Sequence, residues 1–279
     1  MILIRKTYGD FFYISAMCRQ ILLLSLFWLI TVTCVFSQWD TYQAIWEGKP
    51  GSVLVNMDWS RFAPAEDLTF LLVVETEVDS CNSNGFGSIQ SSNQITKQNQ
   101  SLDSLLSLYT YLESVGTFSH DCKIREYYYL RDTLGIAQRL RIHSFDRDYS
   151  YEVIEDKEWL GYLDFLYPDD FLIQTMINGR VIAQLVQQGD DVTKRRKVTH
   201  FAGFSSERNR KDFRSYIEGQ GFFVSKEHYD TKEILPYYIT FNRRDPLEIS
   251  GISEITLHLA LEAQEYYGSY DGWETEITD

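Results

Sequence analysis

The chain has 279 residues, of which 44% are hydrophobic and 24% charged, so it can bury one or two cores and is neither disordered nor collagen-like. Lys and Arg number 26 against 40 Asp and Glu, a net charge of −14, whereas proteins that bind the nucleic acid backbone are usually basic. We therefore expect no nucleic acid partner.

The first informative segment is an apolar run at residues 21–36, preceded by Arg19. Val35 and Ser37 are small enough for the −3 and −1 positions of a signal peptidase site. The pattern predicts a signal peptide at residues 1–37 and an exported protein, periplasmic or secreted. After cleavage we expect no association with the membrane.

Three alternatives for this segment stay open. Met17 would begin a more typical signal than Met1 does, and export follows from either start. Cys34 is a candidate for lipidation, although the residues before it match a lipidation box poorly. An uncleaved signal would anchor the protein in the membrane, but 16 helical residues span roughly 24 Å, short of a hydrocarbon core of ~30 Å.

Cleavage after Ser37 would leave two cysteines, Cys81 and Cys122. Because an even number of cysteines in an oxidising compartment often forms disulfides, we predict a bridge between them. The alternative is a pair of unpaired buried thiols. Residues 80–100 are rich in Ser, Asn, Gln and Gly, which predicts a surface loop.

The chain is predicted to contain two α+β domains. Residues 187–197 have no apolar periodicity and change from acidic to basic, which indicates a linker between a domain at 38–190 and another at 195–279. The elements predicted in the first domain are apolar runs at 52–57 and 68–78, strands at 127–130 and 151–154, helices at 102–115 and 133–142, and an aromatic-rich segment at 159–168.

The second domain has the clearer pattern. Ser205 and Ser206 offer N-cap oxygens for a helix that ends near Gly219 and Gly221. A second helix shows one apolar stripe, and His200 lies in a strand as a packed core residue. The stripe consists of Ile252, Ile255, Leu259 and Ala263. The predicted strands lie at 198–204, 222–225, 237–241 and 270–277. The order βαββαβ predicts a ferredoxin-like domain, an antiparallel sheet with two helices on one face.

Four motifs in the last 85 or so residues resemble the regulator of ribonuclease E activity B, RraB. They are Lys-Val-Thr-His-Phe at 197–201, Phe-Ser-Ser at 204–206, Gly-Gln-Gly-Phe at 219–222 and, most specific, Tyr-Asp-Gly-Trp-Glu-Thr at 270–275. The first domain is similar to the domain of unknown function 695, which often precedes an RraB-like domain. Its motifs are Gly-Ser-Val at 51–53, Trp-Leu-Gly-Tyr at 159–162 and Phe-Leu-Tyr-Pro at 165–168.

The resemblance implies a non-catalytic, ferredoxin-like regulator that binds a protein partner and inhibits ribonuclease E, with no cofactor. The predicted signal peptide would carry this chain away from a cytoplasmic ribonuclease. We therefore expect the fold to be kept and the partner to be a different protein.

The last of these motifs, Tyr270, Asp271, Gly272 and Trp273, has two interpretations. As structure, Asp-Gly makes a tight turn and Trp273 packs under the sheet. As a protein-binding site, Tyr270 and Trp273 are aromatic anchors for a partner.

No catalytic or metal-binding pattern stands out. Among the five histidines no two have a ligand spacing with a third ligand nearby, so we expect no metal site. His120 and Cys122 lie close in sequence, but we predict no nucleophile–base pair there. The sequence lacks a Gly-rich phosphate loop, Gly-x-Ser-x-Gly and His-Glu-x-x-His. A non-enzyme is favoured, and the alternative is an unrecognised hydrolase in the first domain.

Overall fold

The computed structural model divides the chain into two compact units, with the boundary between Asp169 and Asp170. The predicted signal peptide lies outside the described residues. None of the helices in the described ranges is both long and apolar enough to cross a membrane. The residues that the structure describes are 38–78, 80–87, 102–142 and 149–277.

The predicted linker at residues 187–197 lies inside the second unit. Its change from acidic to basic reflects a buried ion pair, in which Arg196 Nη1 lies 2.5 Å from Asp190 Oδ1. The Arg196 guanidinium also donates to the carbonyl of Asp191. These contacts fix the segment to the start of a strand, because a buried charge is tolerated only when it is paired. The change from acidic to basic residues, which we interpreted as a linker, therefore comes from an ion pair inside the second unit.

The first unit is built on one antiparallel sheet of six strands. In chain order the strands are β1 (Trp39–Trp46), β2 (Lys49–Asn56), β3 (Phe70–Glu77), β4 (Leu112–His120), β5 (Lys123–Leu130) and β6 (Tyr149–Glu155). Their order in the sheet is β1-β2-β4-β5-β3-β6. The helical segments are a 3-10 helix at Met57–Arg61, α1 at residues 102–106, α2 (Ile136–Ile142) and a π-helix at Gly161–Leu166.

Strand β5 is covered on both faces at its end, because its last four residues, 127–130, are all buried. On one face Tyr128 and Leu130 pack with residues of α1 and α2. On the other face the Tyr129 ring stacks on Trp159, with centroids 3.8 Å apart. The core of this unit therefore lies on both sides of the sheet centre.

The predicted strands at 127–130 and 151–154 lie in β5 and β6, but the predicted helix at 102–115 is wrong. Only residues 102–106 are helical, and the rest leads into β4. Gly116 shows why this segment forms a strand rather than a helix. A Cβ atom added to Gly116 would lie 2.9 Å from the carbonyl oxygen of Leu54 on the neighbouring strand β2. Such a close approach of two backbones is typical of glycine in a sheet.

The predicted helix at 133–142 is shorter than expected and begins at Ile136. Its buried side chains are Ile136 and Leu140, whereas Leu134 is 85% exposed. Strand β1 was not predicted. It is an edge strand in which Tyr42 alone is buried, so it lacks the alternation of apolar and polar residues that marks a half-buried strand.

The second unit contains a helix followed by the predicted βαββαβ order. Its elements are α3 (Asp170–Gln187), β7 (Arg196–Phe204), α4 (Glu207–Gly219), β8 (Phe223–Tyr229), β9 (Tyr237–Asp245), α5 (Ile249–Glu265) and β10 (Gly268–Thr275). The antiparallel sheet has the order β10-β7-β9-β8, and the predicted ferredoxin-like arrangement is confirmed. The Ser206 side chain accepts a hydrogen bond from the Asn209 amide, as the predicted N-cap of α4.

The helices pack on one face of this sheet. Phe204 and Phe241 from the sheet meet Phe213 of α4 and Leu259 of α5 in a single apolar cluster. Helix α3, which the sequence analysis missed, packs beside α5 and contributes Val181, Ile182 and Leu185 next to Val198 and Trp273. Three helices rather than two therefore cover this face.

Candidate protein-binding surface of the second unit

The rings of the Tyr270–Trp273 segment are part of the core. Tyr270 is buried, and its hydroxyl shares a hydrogen bond of 2.8 Å with Nδ1 of His200. Burial raises the pKa of Tyr270 well above its ordinary value. Trp273 is 9% exposed and packs with Val198 and Ile252. Neither ring can anchor a partner in this conformation, and burial supports the structural interpretation of both residues.

The indole of Trp273 is tied to a buried asparagine of α3. The Trp273 N–H donates to Oδ1 of Asn178 at 2.8 Å. The Asn178 amide group donates in turn to Oγ of Ser253 at 3.2 Å and to Oγ1 of Thr256 at 2.9 Å, both on α5. One side chain thus links α3, α5 and β10. Each of these buried polar groups is satisfied by the others, which is the condition for placing them in a core.

Asp271 and Gly272 occupy a β-bulge between Tyr270 and Gly272, where Gly272 has a φ of 111°. That φ favours glycine. Asp271 is half-buried and accepts a hydrogen bond of 3.1 Å from the Ser269 hydroxyl. Burial and the negative charge of Glu233 raise the pKa of Asp271 to about 6. Of the four predicted residues, Asp271 and Gly272 keep some surface, and a contact of this segment with a partner stays a prediction.

His200 is fully buried, as predicted, and its ring packs against Phe222 and Phe241. Burial and, to a smaller extent, the positive charge of Arg243 together lower its pKa to about 3. The ring is therefore neutral at physiological pH. Its Nε2 has no hydrogen-bond partner in the described part of the chain.

The other face of the sheet carries no helix of the described part of this unit, and we call it the helix-free face. Along β7 it presents the residues that alternate with the buried Val198, His200 and Ala202. Cross-strand pairing arranges its side chains in four rows. The rows are Lys197 with Arg244; Glu274 with Thr199, Asn242 and Phe223; Gly272 with Phe201, Thr240 and Lys226; and Ser269 with Gly203, Tyr238 and His228.

The helix-free face has an apolar edge and an uneven charge. Phe223, on the edge strand β8, is 69% exposed. Lys197 and Arg244 are exposed at one end of the face, and Lys226 is exposed on the edge strand. The opposite end carries Asp271, with Glu233 nearby in the loop after β8. Exposed aromatic and Arg side chains are the types that protein interfaces favour.

In the first unit, His120 and Cys122 each have their own neighbours. Nε2 of His120 lies 3.0 Å from the Trp46 carbonyl, and its ring stacks on Phe118. Cys122 lies next to Cys81, with the two Cα atoms 5.7 Å apart, within the range that a disulfide spans. In the described residues, no group of three His, Cys, Asp or Glu could hold a metal ion.

Comparison with known families agrees with this architecture. Residues 175–275 match the family described as Regulator of ribonuclease activity B, and residues 37–167 match the Family of unknown function DUF695. The second unit is similar to RraB. No curated protein matches the chain. The RraB match begins inside α3, which supports the assignment of this helix to the second unit.

The residues of the helix-free face in the RraB-like unit were missed as a site by sequence reasoning. The signal for them was present, because Lys197, Thr199 and Phe201 alternate with buried positions along a predicted strand. Alternation indicates which residues share a face. It does not indicate whether a helix covers that face. The sequence analysis therefore predicted Tyr270 and Trp273 as the aromatic anchors instead of residues on the helix-free face.

Proposed function

We propose that this chain is an exported, non-catalytic regulatory protein whose RraB-like unit binds a partner protein. The observation that carries the proposal is the match of residues 175–275 to the RraB family, which covers all of the βαββαβ elements and most of α3. RraB is a regulator that acts by binding ribonuclease E, a protein. Binding through a preformed surface needs no reactive group and no cofactor.

The absence of catalysis is supported by how the second unit uses its buried polar groups. Asn178 bonds to Trp273 and α5, Tyr270 bonds to His200, and Asp190 pairs with Arg196. These side chains are engaged with one another and hold elements of the fold together. A catalytic acid or base must instead reach a substrate proton at hydrogen-bond distance.

Export is supported by the apolar run at residues 21–36 and by the position of Cys81 beside Cys122. Disulfides persist mainly in exported proteins. An exported chain would not meet a cytoplasmic ribonuclease, so the partner in this proposal is an exported or surface protein rather than ribonuclease E.

Fractionation of the native host, followed by intact-mass analysis and crosslinking, tests the proposal. We expect a mature protein that begins at Gln38, outside the cytosol, and a specific crosslink to an exported protein. The control is titration of the same protein against purified ribonuclease E in a cleavage assay. Cytosolic protein that retains Met1 or Met17 and inhibits ribonuclease E at physiological salt would contradict both the localisation and the change of partner.

A further inference from the structure

Three cationic side chains lie together at one end of the helix-free face. Lys197 and Arg244 are directly opposite each other on β7 and β9. The Arg195 guanidinium donates to the Arg244 carbonyl at 2.9 Å, and that of Arg244 donates to the Arg195 carbonyl at 3.2 Å. All three residues are exposed. None of them forms an ion pair with another described residue.

This cluster is unusual within its own unit. The four cationic residues of α4 all pair with carboxylates, at 2.8 to 3.8 Å. They are Arg208, Arg210, Lys211 and Arg214. On the edge of the core, Arg243 pairs with Asp245 at 3.0 Å. A chain with 40 acidic and 26 basic residues has carboxylates available, yet it leaves like charges opposite each other on the helix-free face.

Like charges on directly opposite strand positions are destabilising. Fold stability therefore gives no reason for Lys197 to face Arg244. The repulsion is relieved when an anionic group lies between the two side chains. A partner that supplies carboxylates would make this arrangement favourable, whereas a neutral apolar partner would leave the repulsion in place.

An exposed aromatic ring lies within this positive surface. Phe223 is opposite Asn242, one row from Arg244, and Lys226 is in the next row on the same edge strand. A ring that is 69% exposed on a polar surface offers area for burial by a partner side chain. By strand register, Phe223 thus lies between the row of Arg244 and the row of Lys226.

We infer that Arg195, Lys197, Arg244 and Lys226, around Phe223, bind a short acidic segment of the partner protein that places an apolar side chain on Phe223. The inference rests on the proposed function and names the surface that would perform it. Carboxylates of the segment lie against the cationic side chains, and its apolar residue covers the exposed ring.

The charges around this surface favour a protein segment over a nucleic acid. Glu274 is in the same row as Phe223 but on β10, the opposite edge strand. Asp271 is in the β-bulge of that same strand. The chain as a whole has a net charge of −14. A nucleic acid strand carries its negative charge past the cationic surface and onto these acidic residues. A short acidic segment ends before it reaches them.

Titration of the full protein with a defined peptide tests the inference. The probe is a fluorescein-labelled nonapeptide in which Asp and Glu flank one central Phe. Its affinity is measured by anisotropy at 50 and 300 mM salt, for the wild type, Lys197→Glu and Phe223→Ser. The matched control is Arg208→Glu on α4, which changes the net charge equally at a side chain that is 89% exposed.

We expect the wild type to bind the peptide, with an affinity that falls as salt rises because exposed charges are screened. Lys197→Glu should weaken binding about tenfold, and Arg208→Glu by less than about twofold. Phe223→Ser should weaken binding at both salt concentrations and leave the salt dependence unchanged. Melting temperatures of all variants verify that the fold is retained.

Three results would overturn the inference. They are no binding by the folded wild type, equal loss in Lys197→Glu and Arg208→Glu, and tighter binding of a single-stranded oligouridine than of the peptide. The proposed function is tested separately by crosslinking. If an exported partner is captured equally by the wild type and by Lys197→Glu, the surface is wrong and the proposed function stands.

Discussion

The two sheets of this protein differ in how their faces are used. In the first unit, residues 127–130 of β5 are buried in succession, because rings and helices cover both faces of the sheet centre. In the second unit, buried and more accessible residues alternate along most of β7, because all helices of the described part of the unit lie on one face. The first sheet is thus covered on both faces at its centre, whereas the second has helices on one face only in the part of the unit that the structure describes.

The same difference appears in how each unit fixes its covering layer. In the first unit, Trp159 is held by ring stacking and by donation of its indole N–H to the Leu68 carbonyl at 2.8 Å. In the second, Trp273 donates to Asn178, so that a polar network joins helix to sheet. Substitutions at these positions measure how much apolar packing in the first unit and the polar network in the second unit contribute to the free energy of unfolding.

The largest effect is expected for Trp159→Ala. The substitution removes a fully buried ring that covers one face of the first sheet and leaves a cavity, which costs about 3–5 kcal/mol of unfolding free energy. Urea unfolding monitored by circular dichroism measures it. The control is Leu160→Ala, whose side chain is half-exposed and should matter by less than about 1 kcal/mol. A loss below about 1 kcal/mol for Trp159→Ala would show that this face is not part of the core.

The cysteines of the first unit should give the next effect. If Cys81 and Cys122 are bridged across their separation of 41 residues, Cys81→Ser should lower the unfolding free energy by about 3–4 kcal/mol. Reductant should lower the stability of the wild type to the same value and leave the variant unchanged. Non-reducing peptide mapping verifies the bridge, and alkylatable thiols on both residues of freshly isolated protein would disprove it.

Asn178→Ala tests the polar network of the second unit. The substitution leaves the buried Trp273 N–H without its acceptor, which costs about 1–3 kcal/mol, and we expect a loss of about 2 kcal/mol. Hydrogen exchange of the β10 amides should rise in the variant. Gln184→Ala, at an exposed position of the same helix, should change neither quantity. Unchanged protection of β10 would contradict a role for this side chain in attaching α3.

The sequence predicted the second unit better than the first for a physical reason. Strand alternation, the Ser206 cap and the apolar stripe of α5 are local signals, and each is borne out in the fold. In the first unit, the sequence around Gly116 has mixed propensity, and its conformation is decided by distant backbone in β2. The boundary between the two units was placed too late in the sequence, because the charged segment that contains Asp190 and Arg196 resembles a linker in composition. Asn178 was missed because nothing in the sequence shows what it contacts.

Two titrating groups of the second unit have opposite effects on its stability. The pKa of Asp271 is raised to about 6 by burial and by Glu233, so its ionised form destabilises the fold, and this effect grows as pH rises through 4 to 6. The pKa of His200 is lowered to about 3 by burial and by Arg243. Below pH 6.5, the ordinary pKa of histidine, His200 takes up a proton in the unfolded chain but stays neutral in the folded protein. The free energy of unfolding therefore decreases as the pH is lowered from about 6.5 towards 3.

Asp271→Asn should remove the first of these effects and leave the second. We expect the variant to be more stable than the wild type above pH 6, by about 1–2 kcal/mol for this partly accessible carboxylate, and equally stable below pH 4. Its stability should also decrease more steeply between pH 6 and 4. Thermal unfolding across this range measures both. Parallel pH profiles for variant and wild type would show that Asp271 does not titrate in this range.

The smallest change in stability is expected for Lys197→Glu, and its sign is what matters. The substitution replaces a like-charge pair with Arg244 by an opposite-charge pair at directly opposed strand positions, which should stabilise the second unit by about 0.2–1 kcal/mol. The gain should diminish at high salt, because both side chains are exposed. Differential scanning calorimetry at 50 and 300 mM salt measures it, with Lys197→Gln as an intermediate.

A variant that is more stable but binds the acidic peptide less well would mean that Lys197 serves binding at the expense of the fold. A destabilised variant would instead mean that Lys197 already has a favourable partner in the free protein, and that the helix-free face is structural like the first sheet.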